Sequence, residues 1–140
     1  MIFVDSGAWI ALTNQRDRNH TDAVTIYADL KRQRARFFTT DYVLDETITR
    51  LRYDVSHSVA VQFLDFIERA EKIDGLTVAE IDKTLFQEAK RLFRQYDSAK
   101  LSFTDCTSFA VCQKHNISET YAFDEHFAMM GITVLKTVEQ

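Results

Sequence analysis

Short apolar runs alternate with longer stretches of helical periodicity along this chain. That pattern predicts an α/β fold with a central parallel sheet and helices on both faces. Two further observations support it. Ile2–Asp5 is apolar and closes on a charge, as in a strand buried on both sides. Ser, Thr or Asp stands ahead of most helical stretches, where a cap is needed.

The elements follow in order. Ile2–Asp5 is the first strand, and Ser6 can cap a helix through about Leu12. Thr21 starts a second helix running to about Arg34, and Arg36–Thr39 is a short strand. Thr40 or Asp41 caps a helix with Val43, Leu44, Ile48 and Leu51 on its apolar side. Ser56 caps the next, which carries Val59, Phe63, Phe66 and Ile67. Leu76–Ile81 reads as strand, and Asp82 caps a helix bearing Leu85, Phe86, Ala89, Leu92 and Phe93. Ser102 or Thr104 opens a helix through Lys114, with Asn116 as its stop. Thr120–Phe123 is a strand, Glu125–Met130 a short helix closed by Gly131, and Ile132–Leu135 a last strand.

Composition bounds the function. The 140 residues suit one domain spanning positions 1–140. Hydrophobic residues make up 46%, enough for a packed core. Proline is absent and glycine occurs three times, which excludes collagen-like and linker-like chains. The net charge of −4 differs from the basic balance of a protein that coats DNA. No apolar run approaches the roughly 18 residues of a membrane span. Met1-Ile2-Phe3-Val4 lacks the basic segment of a signal peptide, so a cytoplasmic protein without membrane contact is expected. Cys106 and Cys112 fall in one helix with side chains about 240° apart, which argues against a disulfide between them.

In a parallel sheet, ligands gather beyond the carboxyl ends of the strands. Asp5 ends the first strand, and Asp124 ends the Thr120–Phe123 strand. Glu46 lies early in the helix after the second strand. Asp105 lies in the first turn of a helix that leads into a strand, and such a helix starts at the carboxyl edge. Four acids distant in sequence are thus expected at one edge. Four ionised carboxylates need cations, and hard divalent ions take oxygen ligands. Such a centre can polarise a phosphate and activate water, so metal-dependent phosphodiester hydrolysis is the natural reading. No P-loop, dinucleotide fingerprint, G-x-S-x-G elbow or H-E-x-x-H motif occurs.

Each acid also has a purely structural explanation. Asp5 could cap the helix that begins near Ser6. Asp105 near a helix N-terminus gains about 0.3–1 kcal/mol from the dipole. Asp124 could cap the short helix after it. Leu44, Ile48 and Leu51 form the apolar face of their helix, and Asp45 and Glu46 flank it on opposite sides, so periodicity does not choose between the two.

Four segments together resemble a known family. Phe3-Val4-Asp5-Ser6, Val43-Leu44-Asp45-Glu46-Thr47, Leu101-Ser102-Phe103-Thr104-Asp105-Cys106 and Ala122-Phe123-Asp124-Glu125-His126-Phe127 are similar to the acidic motifs of PIN domains. The resemblance is greatest to the VapC-type toxins of toxin–antitoxin pairs, and it runs from Asp5 to the last strand. It implies a three-layer α/β/α fold and a Mg²⁺- or Mn²⁺-dependent ribonuclease. It also implies RNA as substrate, a homodimer and a cognate antitoxin as partner. Carried over, Asp5, Glu46, Asp105 and Asp124 become the metal-binding and catalytic acids, and Ser6 a hydroxyl supporting them. The resemblance selects Glu46 over Asp45. Family chemistry implies products with a 5′-phosphate and a 3′-hydroxyl.

The remaining conspicuous residues read as scaffold. Ala8-Trp9-Ile10-Ala11-Leu12 is apolar all round, which places Trp9 in the core. Lys31–Arg36 is the densest basic run, but it ends a helix and enters a strand, away from the acids. Lys100, Arg50 and Arg52 are better placed for phosphate contact. His126 is expected to be a surface histidine. Three rivals share the acids: a phosphoacceptor receiver domain, a PIN fold retained for binding alone, and a DNA nuclease.

Overall fold

The structure is a computed structural model describing residues 1–73, 75–97 and 100–136. The chain begins with β1 (Ile2–Val4), α1 (Ser6–Thr13), α2 (His20–Arg32) and β2 (Phe37–Thr40). It continues through α3 (Asp41–Asp54), α4 (His57–Lys72), β3 (Leu76–Ala79) and α5 (Lys83–Gln95). It ends with α6 (Phe103–Lys114), β4 (Glu119–Tyr121), α7 (His126–Met129) and β5 (Thr133–Val134).

The five strands pair in parallel in the order β3-β2-β1-β4-β5. From β1 the chain steps outward through β2 to β3, then returns past β1 to β4. Right-handed crossovers therefore put α1–α4 on one face and α5 and α6 on the other. Packing agrees: α1 lies on α2 and α3, α3 on α4, and α5 on α6. Strand alternation divides the aromatic core between these layers. Phe37 stacks on Tyr27 of α2 at 5.5 Å, whereas Phe38 meets His115, just after α6, at 5.0 Å. Phe3 sits opposite Phe38 in the register and reaches Phe127 of α7 at 5.9 Å. The result is the expected three-layer α/β/α arrangement. The strand order also disposes of the receiver-domain rival, whose sheet runs 2-1-3-4-5.

Four of the expected caps form, whereas Ser6 does not cap α1: it is the first residue inside that helix, and the N-cap position falls on Asp5. Thr40, Ser56, Asp82 and Ser102 accept hydrogen bonds from the N–H groups of Val43, Val59, Leu85 and Asp105. Helix ends and strand ends differ by a few residues, for local reasons. The second helix stops at Arg32 because Arg34 turns into the left-handed region at φ 56°. Asn116 does the same after α6, at φ 54°, as its position predicts. Strand β3 ends at Ala79, and the Ile81 N–H beyond it goes to the Asp41 carboxylate at 3.1 Å. The Lys31–Arg36 run is largely exposed and enters β2 at its amino end, opposite the acids. Arg32 of that run pairs with Asp29. No helix among the described residues is long and apolar enough to cross a membrane.

Trp9 is buried, as expected, and is 2% exposed. Its indole N–H donates to Thr39 Oγ1 at 3.4 Å, and that hydroxyl donates to the Val4 carbonyl at 3.0 Å. Thr39 thus ties α1 to both central strands just below Asp5. Thr39→Val keeps the shape but strands a buried indole N–H. Urea unfolding should show a loss of about 1–3 kcal/mol.

Candidate functional site

β1 and β4 are neighbours, but the chain leaves them in opposite directions across the sheet. Their carboxyl ends form a switch point, where open α/β sheets bind ligands. Asp5 follows β1 directly, and its backbone N–H donates to the Tyr121 carbonyl at the end of β4, at 3.1 Å. Asp5 is the N-cap residue of α1, yet its side chain makes no capping hydrogen bond. The capping explanation therefore does not account for the carboxylate of this residue, which as a whole is 5% exposed.

Three further acids act on Asp5 electrostatically. Burial pushes its pKa up from 3.8 to about 7, aided by the charges of Asp105, Glu46 and Asp124, while a hydrogen bond from the Ser6 backbone N–H pulls it back. Glu46 is raised by burial and by Asp105, and lowered by Arg50 and by the Ser6 hydroxyl. Asp105 is raised by burial and by Asp124, and lowered by hydrogen bonds from Ser102 and by His126. The four predicted acids therefore form one electrostatically coupled group. Asp45 is exposed while Glu46 is half-buried, so the two flanks that helical periodicity leaves equivalent differ in the folded chain.

Local folding holds two of these side chains. Asp105 and Ser102 form a reciprocal capping box: Ser102 N–H donates to Asp105 Oδ2 at 3.1 Å, and Asp105 N–H donates to Ser102 Oγ at 3.0 Å. Asp124 Oδ1 accepts the His126 backbone N–H at 2.9 Å, an Asx turn that starts α7. The structural explanations for these two acids hold alongside their place in the cluster. Oδ1 of Asp105 and Oδ2 of Asp124 have no hydrogen bond from the described residues.

The tightest grouping is not the four acids. Asp105, Asp124 and His126 each offer a ligand atom, and these atoms lie within 4.8 Å of one another. His126 is the residue that sequence reasoning undervalued. Its Nδ1 is 2.9 Å from Asp124 Oδ1 and 3.7 Å from Asp105 Oδ2. The available signal was the Asp-x-His spacing after the fourth strand, which a tight turn folds back on itself. Of the phosphate-contact candidates, Arg50 reaches Glu46 electrostatically and lies 3.8 Å from Asp54, while Arg52 and Lys100 are exposed.

The donor set suits a hard divalent cation. Its oxygens are carboxylates, and the buried Asp5 charge lacks a cationic partner among the described residues. A cation there would relieve the repulsion that raises Asp5, Glu46 and Asp105. The buried thiols offer no alternative nucleophile, since burial and the Asp5 charge push Cys112 up to about 12 and burial and Asp105 raise Cys106.

Known proteins share this architecture. The chain is 33% identical over 139 residues to the 23S rRNA-specific endonuclease VapC20 of Mycobacterium tuberculosis, covering 97% of this chain and 98% of that one. It is 27% identical over 133 residues to a VapC ribonuclease of Archaeoglobus fulgidus, covering 92% of this chain and 80% of that one. The crystal structure of M. tuberculosis VapC20, described as a sarcin-ricin loop cleaving toxin, superposes with a TM-score of 0.86 at 30% identity. That superposition covers 98% of this chain and all of the other. Residues 2–132 match the PIN domain, and the chain belongs to the PIN domain family.

Proposed function

We propose that this chain is a divalent-metal-dependent endoribonuclease of the VapC type, acting as the toxin of a toxin–antitoxin pair. The observation that carries the reading is Asp5: a buried carboxylate with no capping role, repelled by three acids that the fold gathers around it. Asp5, Glu46, Asp105 and Asp124 hold Mg²⁺ or Mn²⁺. When bound, the cation neutralises the acids, polarises the scissile phosphate and makes a nearby water a better nucleophile.

The chain's own residues position and exclude. The Ser6 hydroxyl steadies Glu46, the Ser102 N–H holds Asp105 Oδ2, and the His126 N–H holds Asp124 Oδ1. No side chain attacks phosphorus; water attacks in line, the bond to the 3′-oxygen breaks and that oxygen takes up a proton, which leaves the 5′-phosphate and 3′-hydroxyl that the family resemblance implies. The relatives' names direct attention to ribosomal RNA, and the sarcin-ricin loop is the first substrate to try. A cognate antitoxin that silences the site and a homodimer complete the reading.

Three measurements check it. Cleavage of a structured RNA containing the sarcin-ricin loop should require Mg²⁺ or Mn²⁺ and stop in EDTA. Asp105→Asn should slow it by roughly 100-fold or more. Equal cutting by the variant, or products ending in a 2′,3′-cyclic phosphate, would refute the assignment. Expression of the wild-type chain should arrest growth, and Asp5→Asn should relieve the arrest at equal soluble yield.

The third measurement is stability against pH. Asp5 is raised in the folded state from 3.8 to about 7, so the metal-free native protein binds more protons than the unfolded chain between those values. Stability should therefore fall as pH rises through that window and stay low above it. Asp5→Asn should flatten the profile and stabilise the metal-free protein at pH 8, by on the order of 4 kcal/mol at most. Mn²⁺ should raise the melting temperature of the wild type there far more than that of the variant. A metal-free profile identical in both proteins would mean that Asp5 is not the strained group.

A further inference from the structure

His126 carries chemistry that the four-acid reading leaves unused. Its Nδ1 is withdrawn from water and makes no hydrogen bond among the described residues, although Asp124 Oδ1 is only 2.9 Å away. The distance is short enough for a hydrogen bond, but the direction is wrong for one. A nitrogen buried without a partner is costly in a folded protein and calls for an explanation. The contact also arises from backbone geometry. The Asx turn that joins Asp124 Oδ1 to the His126 N–H folds the imidazole back beside the carboxylate that precedes it by two residues. Asp105 Oδ2, fixed by its capping box, lies 3.7 Å from the same nitrogen.

We propose that His126 Nδ1 is a metal ligand, joining Asp105 and Asp124 in a mixed nitrogen and oxygen set. The inference rests on the reading of the acids as a metal centre. The three donor atoms lie within 4.8 Å of one another, so a cation drawing ligands to about 2.1 Å gathers them with small side-chain adjustments. The neutral imidazole must then carry its proton on Nε2 and present the Nδ1 lone pair. A nitrogen ligand changes which ion the site prefers. Mg²⁺ favours oxygen donors and retains its waters, whereas imidazole suits first-row transition ions. The chain should thus bind Mn²⁺ better, relative to Mg²⁺, than an all-carboxylate centre would.

Pulsed electron paramagnetic resonance on the full chain loaded with Mn²⁺ reads this directly. A directly bound imidazole should produce ¹⁴N modulation of the Mn²⁺ echo. The modulation should vanish in His126→Asn, which offers an amide oxygen in place of the ring nitrogen. Calorimetry should show Mn²⁺ affinity falling about tenfold in that variant and Mg²⁺ affinity changing by less than about twofold. Mn²⁺ that binds and is lost in Asp105→Asn, but gives no nitrogen signal in the wild type, would overturn this proposal and leave the acid site intact. A nitrogen signal that persists in His126→Asn would also overturn it. Mn²⁺ that fails to bind, or binds regardless of Asp105→Asn, would overturn both readings. The wild-type spectrum decides the main point even if the variant folds poorly.

Discussion

The structure is organised around a carboxylate where a carboxylate is expensive. Asp5 sits at the end of the central strand, with β2 on one side and β4 on the other, and is nearly removed from water. Such a group is tolerable only if the fold supplies compensation nearby. Helices α1, α3 and α6 all begin at this edge, and their positive ends favour negative charge. The neighbouring Ser6 backbone N–H also favours the charged form of Asp5. These contributions offset burial only in part, since the Asp5 pKa still stands near 7. The residual repulsion makes the metal-free site a strained element of an otherwise well-satisfied core.

The scaffold that holds the acids is built from ordinary devices of helix initiation. Asp105 completes a capping box, worth about 1 kcal/mol to the start of α6. That box fixes one carboxylate oxygen and leaves the other without a hydrogen bond from the described residues. Asp124 does the same through its Asx turn. Structural and chemical roles are therefore not rivals at these positions. A residue that caps a helix is held in one rotamer, and fixed rotamers are what a preorganised site requires.

Much of this was legible in the residues themselves. Parallel strands were readable because β1 and β2 are buried throughout, and caps were readable because Thr40, Ser56, Asp82 and Ser102 do what such residues do at helix starts. Strand order was less accessible, since it depends on the handedness and direction of each crossover. The sheet order, which no local pattern displays, is what separates this fold from the receiver-domain rival in structural terms. Asp45 and Glu46 are symmetric about an apolar stripe, and only the packing of α3 on α1 and α6 distinguishes a buried flank from a solvated one. His126 was undervalued because its neighbours come from a turn and from a helix some twenty residues earlier. Nothing in local periodicity brings those together.

The distribution of positive charge completes the picture. The densest basic run, Lys31–Arg36, lies at the amino edge of the sheet, and its Arg32 is already paired with Asp29. The carboxyl edge instead gathers acids, with Arg50 as the one cation among the described residues whose charge bears on Glu46. On a nuclease reading, a polyanionic substrate must approach an edge that repels it. The surface therefore cannot be the main source of attraction for the scissile phosphate. That attraction has to come from cations held by the acids, since only they reverse the local sign of charge. The same cations relieve the strain at Asp5. Substrate capture, stability and chemistry would then depend on one occupancy, and a chain stripped of metal would lose all three together.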